Sequence, residues 1–247
     1  MESPLVRKLG CFTRLSAEET KALNEISRVK IRRVGAREDI IREGDTLENI
    51  NLILEGWACR YKQLEDGRRQ IIAFFVPGDH FDSHVFSLRE MDHSIGTMNA
   101  VTLAELGREG LLALAERHPR IAQSLSWEIA VRFSIQREWT VSIGQRTAAE
   151  RLGHLLCELF LRMQAVGLAD ATSCDLPVTQ VDLADALGLS NVHVNRVLQE
   201  LRANGLIVLR GRHLTIPDFQ ALAANSLFNP HYLHLGHEGR HLDAADE

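Results

Sequence analysis

Apolar residues along this chain recur in two rhythms, and each predicts a different kind of element. Up to Ala36 they return at helical spacing, and Ser16-Ala17-Glu18-Glu19 supplies a helix start in which a hydroxyl and a carboxylate satisfy free backbone amides. From Arg37 to about Gly107 the pattern shortens. Asp39 to Arg42, Ile50 to Leu54, Trp57 to Tyr61, Gln70 to Val76 and Ala100 to Leu103 are β-rich runs. Glu43-Gly44-Asp45, Glu55-Gly56, Glu65-Asp66-Gly67 and Pro77-Gly78-Asp79 punctuate them as turns. Short strands between glycine turns predict an antiparallel barrel or jelly roll.

The helical rhythm returns at Glu109 to Arg117 and is stopped by His118-Pro119, because a residue before proline is pushed out of helical conformation. Arg120 to Ile143 then reads as one long helix. Ile121, Leu125, Ile129 (or Glu128), Arg132, Ile135, Trp139 and Ser142 or Ile143 run along it near 3.5-residue spacing, as in a parallel coiled coil with a second copy of the chain. Packing within one chain is the plain alternative. Gly144 is expected to break this helix as a hinge, Gln145 to Gln164 to form another amphipathic helix, and the tail from Phe228 to be extended and solvated.

Val178 to Ile207 carries the most specific pattern. Thr179 and Asp182 form a capping box, Leu183, Ala184 and Leu187 give one apolar face, and Gly188 is placed for a left-handed turn. Ser190 caps a second helix whose Val194, Val197, Leu198 and Leu201 face inward, turning Asn191, His193, Asn195, Arg196 and Gln199 outward. This is a helix-turn-helix. Beyond Gly205, two β-like runs (Leu206 to Leu209, His213 to Ile216) bracket a basic tip, Arg210-Gly211-Arg212, as in the wing of a winged helix. The expected partner is double-stranded DNA. Gln180 and Ser190 would contact phosphate and set register, and Arg196 would make a bidentate contact to a guanine edge. His193 and Asn195 are further base-edge candidates, Asn being able to pair with adenine.

Composition adjusts this picture only slightly. The 247 residues suffice for two cores, and the apolar (45%) and charged (25%) shares are ordinary for a globular protein. A formal charge of −5 speaks against indiscriminate polyanion binding, yet Arg196, Arg202, Arg210 and Arg212 face only Glu200 within their stretch. No apolar run has signal-peptide or bilayer-spanning length, so the expectation is a cytoplasmic protein with no membrane partner. Cys11, Cys59, Cys157 and Cys174 are scattered and expected to be free thiols.

An α+β chain ordered as antiparallel β-roll, long helix, glycine hinge and winged helix-turn-helix resembles the Crp/Fnr family of bacterial transcription regulators. The words that carry the resemblance are IIREGD from Ile40, LILEGWACRYK from Leu52, FFVPGD from Phe74, and the helix-turn-helix itself. The resemblance implies an effector-sensing domain over residues 1–118, a dimerisation helix and hinge over 119–144, a DNA-binding domain over 145–222, and a tail over 223–247. It implies a homodimer on palindromic operators, contacting RNA polymerase if it activates. Where relatives carry a cytosine-reading Glu, this chain has Val192, which fits a thymine methyl instead. Thr179 joins Gln180 at the helix start among the implied DNA contacts.

The implied effector pocket comprises Cys59, Asp82, Ser83, His84, His93 and Ser94. Relatives that bind cyclic AMP carry Gly-Glu and Arg-Ser where this chain has Ser83-His84 and His93-Ser94, so the guanidinium fork for the phosphate is missing. Cys11 alone cannot supply the four thiolates of an iron–sulfur centre. Neither cofactor is expected, and none is identified in their place. His80, His84 and His93, with Asp79 and Asp82, are weak metal candidates; loop histidines facing solvent are the plainer reading. Two rivals stand beside the regulator: a cupin-like metal-dependent enzyme, whose His-x-His spacing these histidines lack, and a regulator of the same fold with no effector.

Overall fold

The computed structural model describes residues 2–81 and 90–244. Contact density divides the chain into two compact units. Unit 1 comprises Met1–Tyr61, Phe74–Arg132 and His234–Glu247; unit 2 comprises Lys62–Ala73 and Phe133–Leu233.

The chain opens with α1 (Pro4–Gly10) and α2 (Ala17–Ile26). Ser16 and Glu19 form the reciprocal capping box that starts α2. Helix does not persist to Ala36 as the pattern suggested, because β1 (Ile31–Val34) pairs with a strand far along the chain. There follow β2 (Asp39–Ile41), β3 (Asn49–Glu55), β4 (Ala58–Gln63), β5 (Arg69–Phe75), β6 (His80–Phe81), β7 (Ser94–Thr97) and β8 (Val101–Gly107). They form two four-stranded sheets, ordered β1-β8-β3-β6 and β2-β7-β4-β5. The registered pairs are antiparallel, so the β-roll expectation holds. Five β-rich runs were legible; β1, β6 and β7 were not, being two to four residues long with no complete alternation of their own.

The strand β3 is buried on both faces from Ile50 to Ile53. Its Ile50 and Leu52, with Ala104 and Leu106 of β8, meet Leu5, Val6 and Leu9 of α1, Leu23 of α2, Leu114 of α3 (Arg108–Arg117) and Ile121 of α4 (Pro119–Gln145). Alternation turns Ile53 and Leu103 to the opposite face, where they too are fully buried.

One charged cluster is largely buried inside unit 1. Glu128 of α4 is completely buried and accepts from Arg132 Nε (2.8 Å) and Nη2 (2.5 Å), while Lys8 Nζ bridges Glu128 and Asp79. His80 Nε2 lies 3.3 Å from Glu128 Oε2. Burial alone would push the Glu128 carboxyl up; Arg132 and Lys8 reverse this and hold it below the usual carboxylate range. Burial drives His80 the other way, down to about 3, so its imidazole is neutral.

The helix α4 runs unbroken through Gly144 to Gln145. A glycine near a helix end costs about 1 kcal/mol against alanine and need not break it. The stop comes one step later, where Thr147 and Glu150 build a capping box for α5 (Ala148–Ala165). Unit 2 continues with β9 (Ser173–Asp175), α6 (Gln180–Leu187), α7 (Asn191–Ala203), β10 (Val208–Arg210), β11 (His213–Thr215) and α8 (Phe219–Asn225). At Gly153, α5 meets the end of α8 so closely that a Cβ there would lie 1.9 Å from Ser226 Oγ.

The tail is packed, contrary to the expectation of an extended solvated segment. Phe228 and Tyr232 pack on His154 of α5, and Glu158 accepts from Tyr232 Oη (3.0 Å) and Trp139 Nε1 (2.9 Å). Burial, with Arg146 beside it, pushes His154 down to about 3. Residues 234–244 belong to unit 1. There His237, Gly239 and Ala244 amides donate to the carbonyls of Cys11, Phe12 and Arg14, and Asp243 accepts from Thr13 Oγ1 and the Arg14 amide. His237 pairs with Asp243, and His234 with Glu238.

Candidate nucleic-acid interface

The local chemistry that starts and stops α6 and α7 is as the residues dictate. Thr179 Oγ1 accepts from the Asp182 amide and Asp182 Oδ2 accepts from the Thr179 amide at 2.8 Å. Gly188 takes φ +64°, ψ +38°, a left-handed conformation disfavoured for side chains with a Cβ, and turns the chain into α7. Ser190 Oγ accepts from the His193 amide at 3.2 Å. Val194, Val197, Leu198 and Leu201 are at most 3% exposed, packing α7 on α5 and α6. That packing leaves Asn191, Val192, Asn195, Arg196 and Gln199 exposed and His193 half-exposed. Val192 is 82% exposed.

Of the remaining DNA candidates, Gln180 and Ser190 are exposed and Thr179 is half-buried. The strands β10, β11 and β9 form a three-stranded antiparallel sheet, and Arg210 and Arg212 stand exposed on its hairpin. The third strand, β9, had no legible signal, as three residues give no periodicity. Two further contacts tie this sheet down: Arg202 Nη2 donates to Leu209 O at 3.3 Å, and the Leu176 amide donates to Arg212 O at 2.7 Å. Arg151 of α5 donates to Leu187 O at 3.1 Å and fixes the end of α6.

The residues marked for an effector do not converge in the same way. Asp82, Ser83 and His84 lie outside the described residues. Cys59 is fully buried in β4. His93 is buried rather than solvent-facing, a correction to the loop reading: Arg60 Nε donates to its Nε2 (2.9 Å) and its Nδ1 pairs with Asp92 (2.7 Å). Ser94 Oγ accepts from the Glu43 amide. With both His93 nitrogens engaged, this position offers neither an anion fork nor a metal ligand, and it does not fit the phosphate of a cyclic nucleotide. His80 is likewise buried rather than loop-exposed. Among the described residues no group of three or more His, Cys, Asp or Glu side chains is arranged to hold a metal ion.

The long helix also differs from expectation. Ile121 and Trp139 are buried within the chain, and Leu125, Arg132 and Ile135 are half-buried, so that stripe mainly packs on its own fold. The apolar residues α4 leaves exposed include Ile129 (36%), Phe133 (62%) and Ile143 (42%). Ile129 and Ile143 belong to the expected stripe and stay exposed on it, and Phe133 lies one residue to its side.

Residues 150–224 match the Crp-like helix-turn-helix domain and residues 31–118 match the cyclic nucleotide-binding domain. The nitrogen fixation regulation protein FixK of Bradyrhizobium diazoefficiens is 30% identical over 191 residues, 76% of this chain and 79% of its own. The chain belongs to the Crp/Fnr family. Another Crp/Fnr relative, the transcriptional activator protein FnrL of Cereibacter sphaeroides, is 26% identical over 221 residues, 88% of either chain. The solved structure of FixK2 from Bradyrhizobium japonicum matches with a TM-score of 0.69 at 27% identity, covering 79% of this chain and 96% of that one. The protein is thus a DNA-binding transcription regulator of the Crp/Fnr type, and α6 and α7 are its helix-turn-helix. No helix among its described residues is long and apolar enough to cross a membrane.

Proposed function

We propose that this Crp/Fnr regulator works in the cytoplasm as a homodimer on palindromic operators, with α7 in the major groove as the reading helix. The observation that carries the reading is the division of α7: one face fully buried, the other presenting Asn191, Val192, Asn195, Arg196 and Gln199. Arg196 contacts a guanine O6/N7 edge, Val192 meets a thymine methyl, and Asn195 pairs with adenine. Thr179, Gln180 and Ser190 lie against phosphate together with Arg210 and Arg212 of the wing, setting register without reading sequence. His193 and Gln199 complete the contact face.

Two copies associate through α4, with Ile129 and Ile143 of the stripe drawn on sequence, and Phe133 beside them, as the seam. Half-sites about one helical turn apart require such a pairing. As relatives of this chain carry activator names, we assign it activation by contact with RNA polymerase at the promoter. No catalytic role is assigned: of the histidines of a cupin-like reading, the two among the described residues are held within the fold, His80 facing Glu128 and His93 pairing with Arg60 and Asp92.

The test is selection of bound duplexes from random DNA by the purified protein and by Arg196→Ala. A palindromic consensus whose preference at one guanine per half-site vanishes in the variant is expected. An unchanged consensus would overturn the assignment. Phe133→Glu, examined by sedimentation, is expected to yield monomers with weak operator affinity.

A further inference from the structure

Gly211, at φ +61°, makes the turn between β10 and β11 tight enough to set Arg210 directly opposite His213. His213 in turn pairs with Asp175 of β9, so the three residues form one row across the sheet. The next row, Leu209, Leu214 and Cys174, turns inward, where Leu214 and Cys174 are buried. By alternation Arg210, His213 and Asp175 point the other way, and all three are exposed.

Along that row stand a cation, an imidazole and an anion. His213 Nδ1 lies 3.0 Å from Asp175 Oδ1. A carboxylate only accepts, so the neutral ring carries its proton on Nδ1 and leaves Nε2 as a bare acceptor. A phosphate ester oxygen also only accepts, so neutral His213 has nothing to donate to DNA. Protonation puts a donor on Nε2 and a positive charge beside Arg210, since directly opposed residues have Cβ atoms about 5 Å apart. The other charged groups around the ring are Asp170, on the loop before β9, which accepts from Ser173 Oγ at 3.3 Å, and Arg212, exposed on the turn.

We propose that His213, in its protonated form, is a phosphate contact of the wing, so that each half-site takes up one proton when DNA binds. The proton comes from solvent and sits on Nε2, between the ring and a phosphate oxygen, while Asp175 holds the Nδ1 proton and orients the ring. The inference rests on the placement of Arg210 and Arg212 against phosphate, because His213 shares the row of Arg210. It goes beyond that placement in making the grip of the wing depend on pH. The two arginines carry a fixed charge; an imidazole, which ordinarily titrates near neutrality, adds one that varies.

The full chain is titrated onto its selected operator at pH 8 and pH 6, at several salt concentrations. Acidification is expected to tighten binding about fivefold per half-site, the order of one charge-assisted hydrogen bond, and to raise the salt dependence of log affinity by about one. His213→Asn keeps a donor for Asp175 and loses the titration, so its affinity should not change between the two pH values. His193→Asn removes the imidazole of α7 and, whatever it costs in affinity, should leave the ratio between pH 6 and pH 8 in place. Both variants are checked for a cooperative thermal transition at pH 6. Calorimetry at pH 7 in two buffers of different ionisation enthalpy counts the proton on the unsubstituted protein. Equal affinities at the two pH values, a ratio that His213→Asn retains or His193→Asn abolishes, or no proton uptake would each overturn the proposal. If Arg210→Ala and Arg212→Ala leave the salt dependence unchanged at pH 8, the wing does not meet phosphate and this inference falls with that placement. If they lower it while the pH response ignores His213, this inference alone fails.

Discussion

Asn195 Nδ2 donates to Gln180 Oε1 across 3.1 Å, joining α7 to the first residue of α6. Both side chains are exposed on the proposed DNA face, so the contact holds Asn195 in one orientation before DNA arrives. Such preorganisation lowers the ordering cost of binding. Gln180→Ala is therefore expected to weaken operator binding about fivefold, from roughly 1 kcal/mol for one hydrogen bond. The double variant Gln180→Ala, Asn195→Ala should lose less than the sum of the single losses. Strict additivity in fluorescence anisotropy titrations would show that the pair does not act as a unit.

The arginines should separate into two behaviours. Arg196→Ala is expected to cost about 1–3 kcal/mol on the selected operator and to flatten preference at one base pair. Arg212→Ala should weaken all sequences alike and reduce the dependence of log affinity on log salt by about one. Titrations at four salt concentrations on selected and scrambled duplexes distinguish them.

Two buried imidazoles predict how stability varies with pH. His80 and His154 have folded values near 3 against an ordinary 6.5, so below pH 6.5 the unfolded chain takes up protons that the folded protein refuses. This stability is complete above pH 6.5 and declines as pH falls towards 3. Between pH 7 and 5 each histidine should remove about 2 kcal/mol. Urea unfolding of His154→Phe, which keeps a ring between Phe228 and Tyr232, should show a shallower decline. A decline parallel to the unsubstituted protein would refute the attribution.

Glu128→Gln should be severely destabilising, although it changes a single heavy atom. Lys8 and Arg132 would be left largely buried without their shared carboxylate, a loss of about 3–5 kcal/mol for a broken buried pair. Denaturant midpoints at neutral pH measure it.

Gly153→Ala tests the contact between α5 and α8. Alanine normally favours a helix, but here its methyl would meet Ser226 Oγ, and a destabilisation of about 1–3 kcal/mol is expected from overpacking. Ser226→Gly in the same chain should restore most of it, as read from melting temperatures.

What could be read from the residues was mostly local. The capping boxes at Ser16, Thr147 and Thr179 and the left-handed Gly188 act within a few positions, and two of those boxes and the glycine were legible. Burial set by distant partners was not. His80 and His93 sit in turn-rich sequence, and only Glu128 and Arg60, brought in by α4 and β4, reveal that they are interior. The α4 stripe shows the same limit: a 3.5-residue repeat marks an apolar face but not whose apolar face it meets, and Ile121 and Trp139 meet their own chain. The tail looked solvated because its histidines are polar, yet Tyr232 and Phe228 anchor it and Asp243 is held by Thr13 and Arg14.

The membership of residues 234–244 in unit 1 sets an order on biosynthesis. These residues leave the ribosome after all of unit 2, while the Cys11–Arg14 segment they cover emerges near the start. Domains otherwise fold from the N-terminus as they are made. Here the last contacts of unit 1, those that cover the Cys11–Arg14 segment, can form only after the helix-turn-helix has been translated.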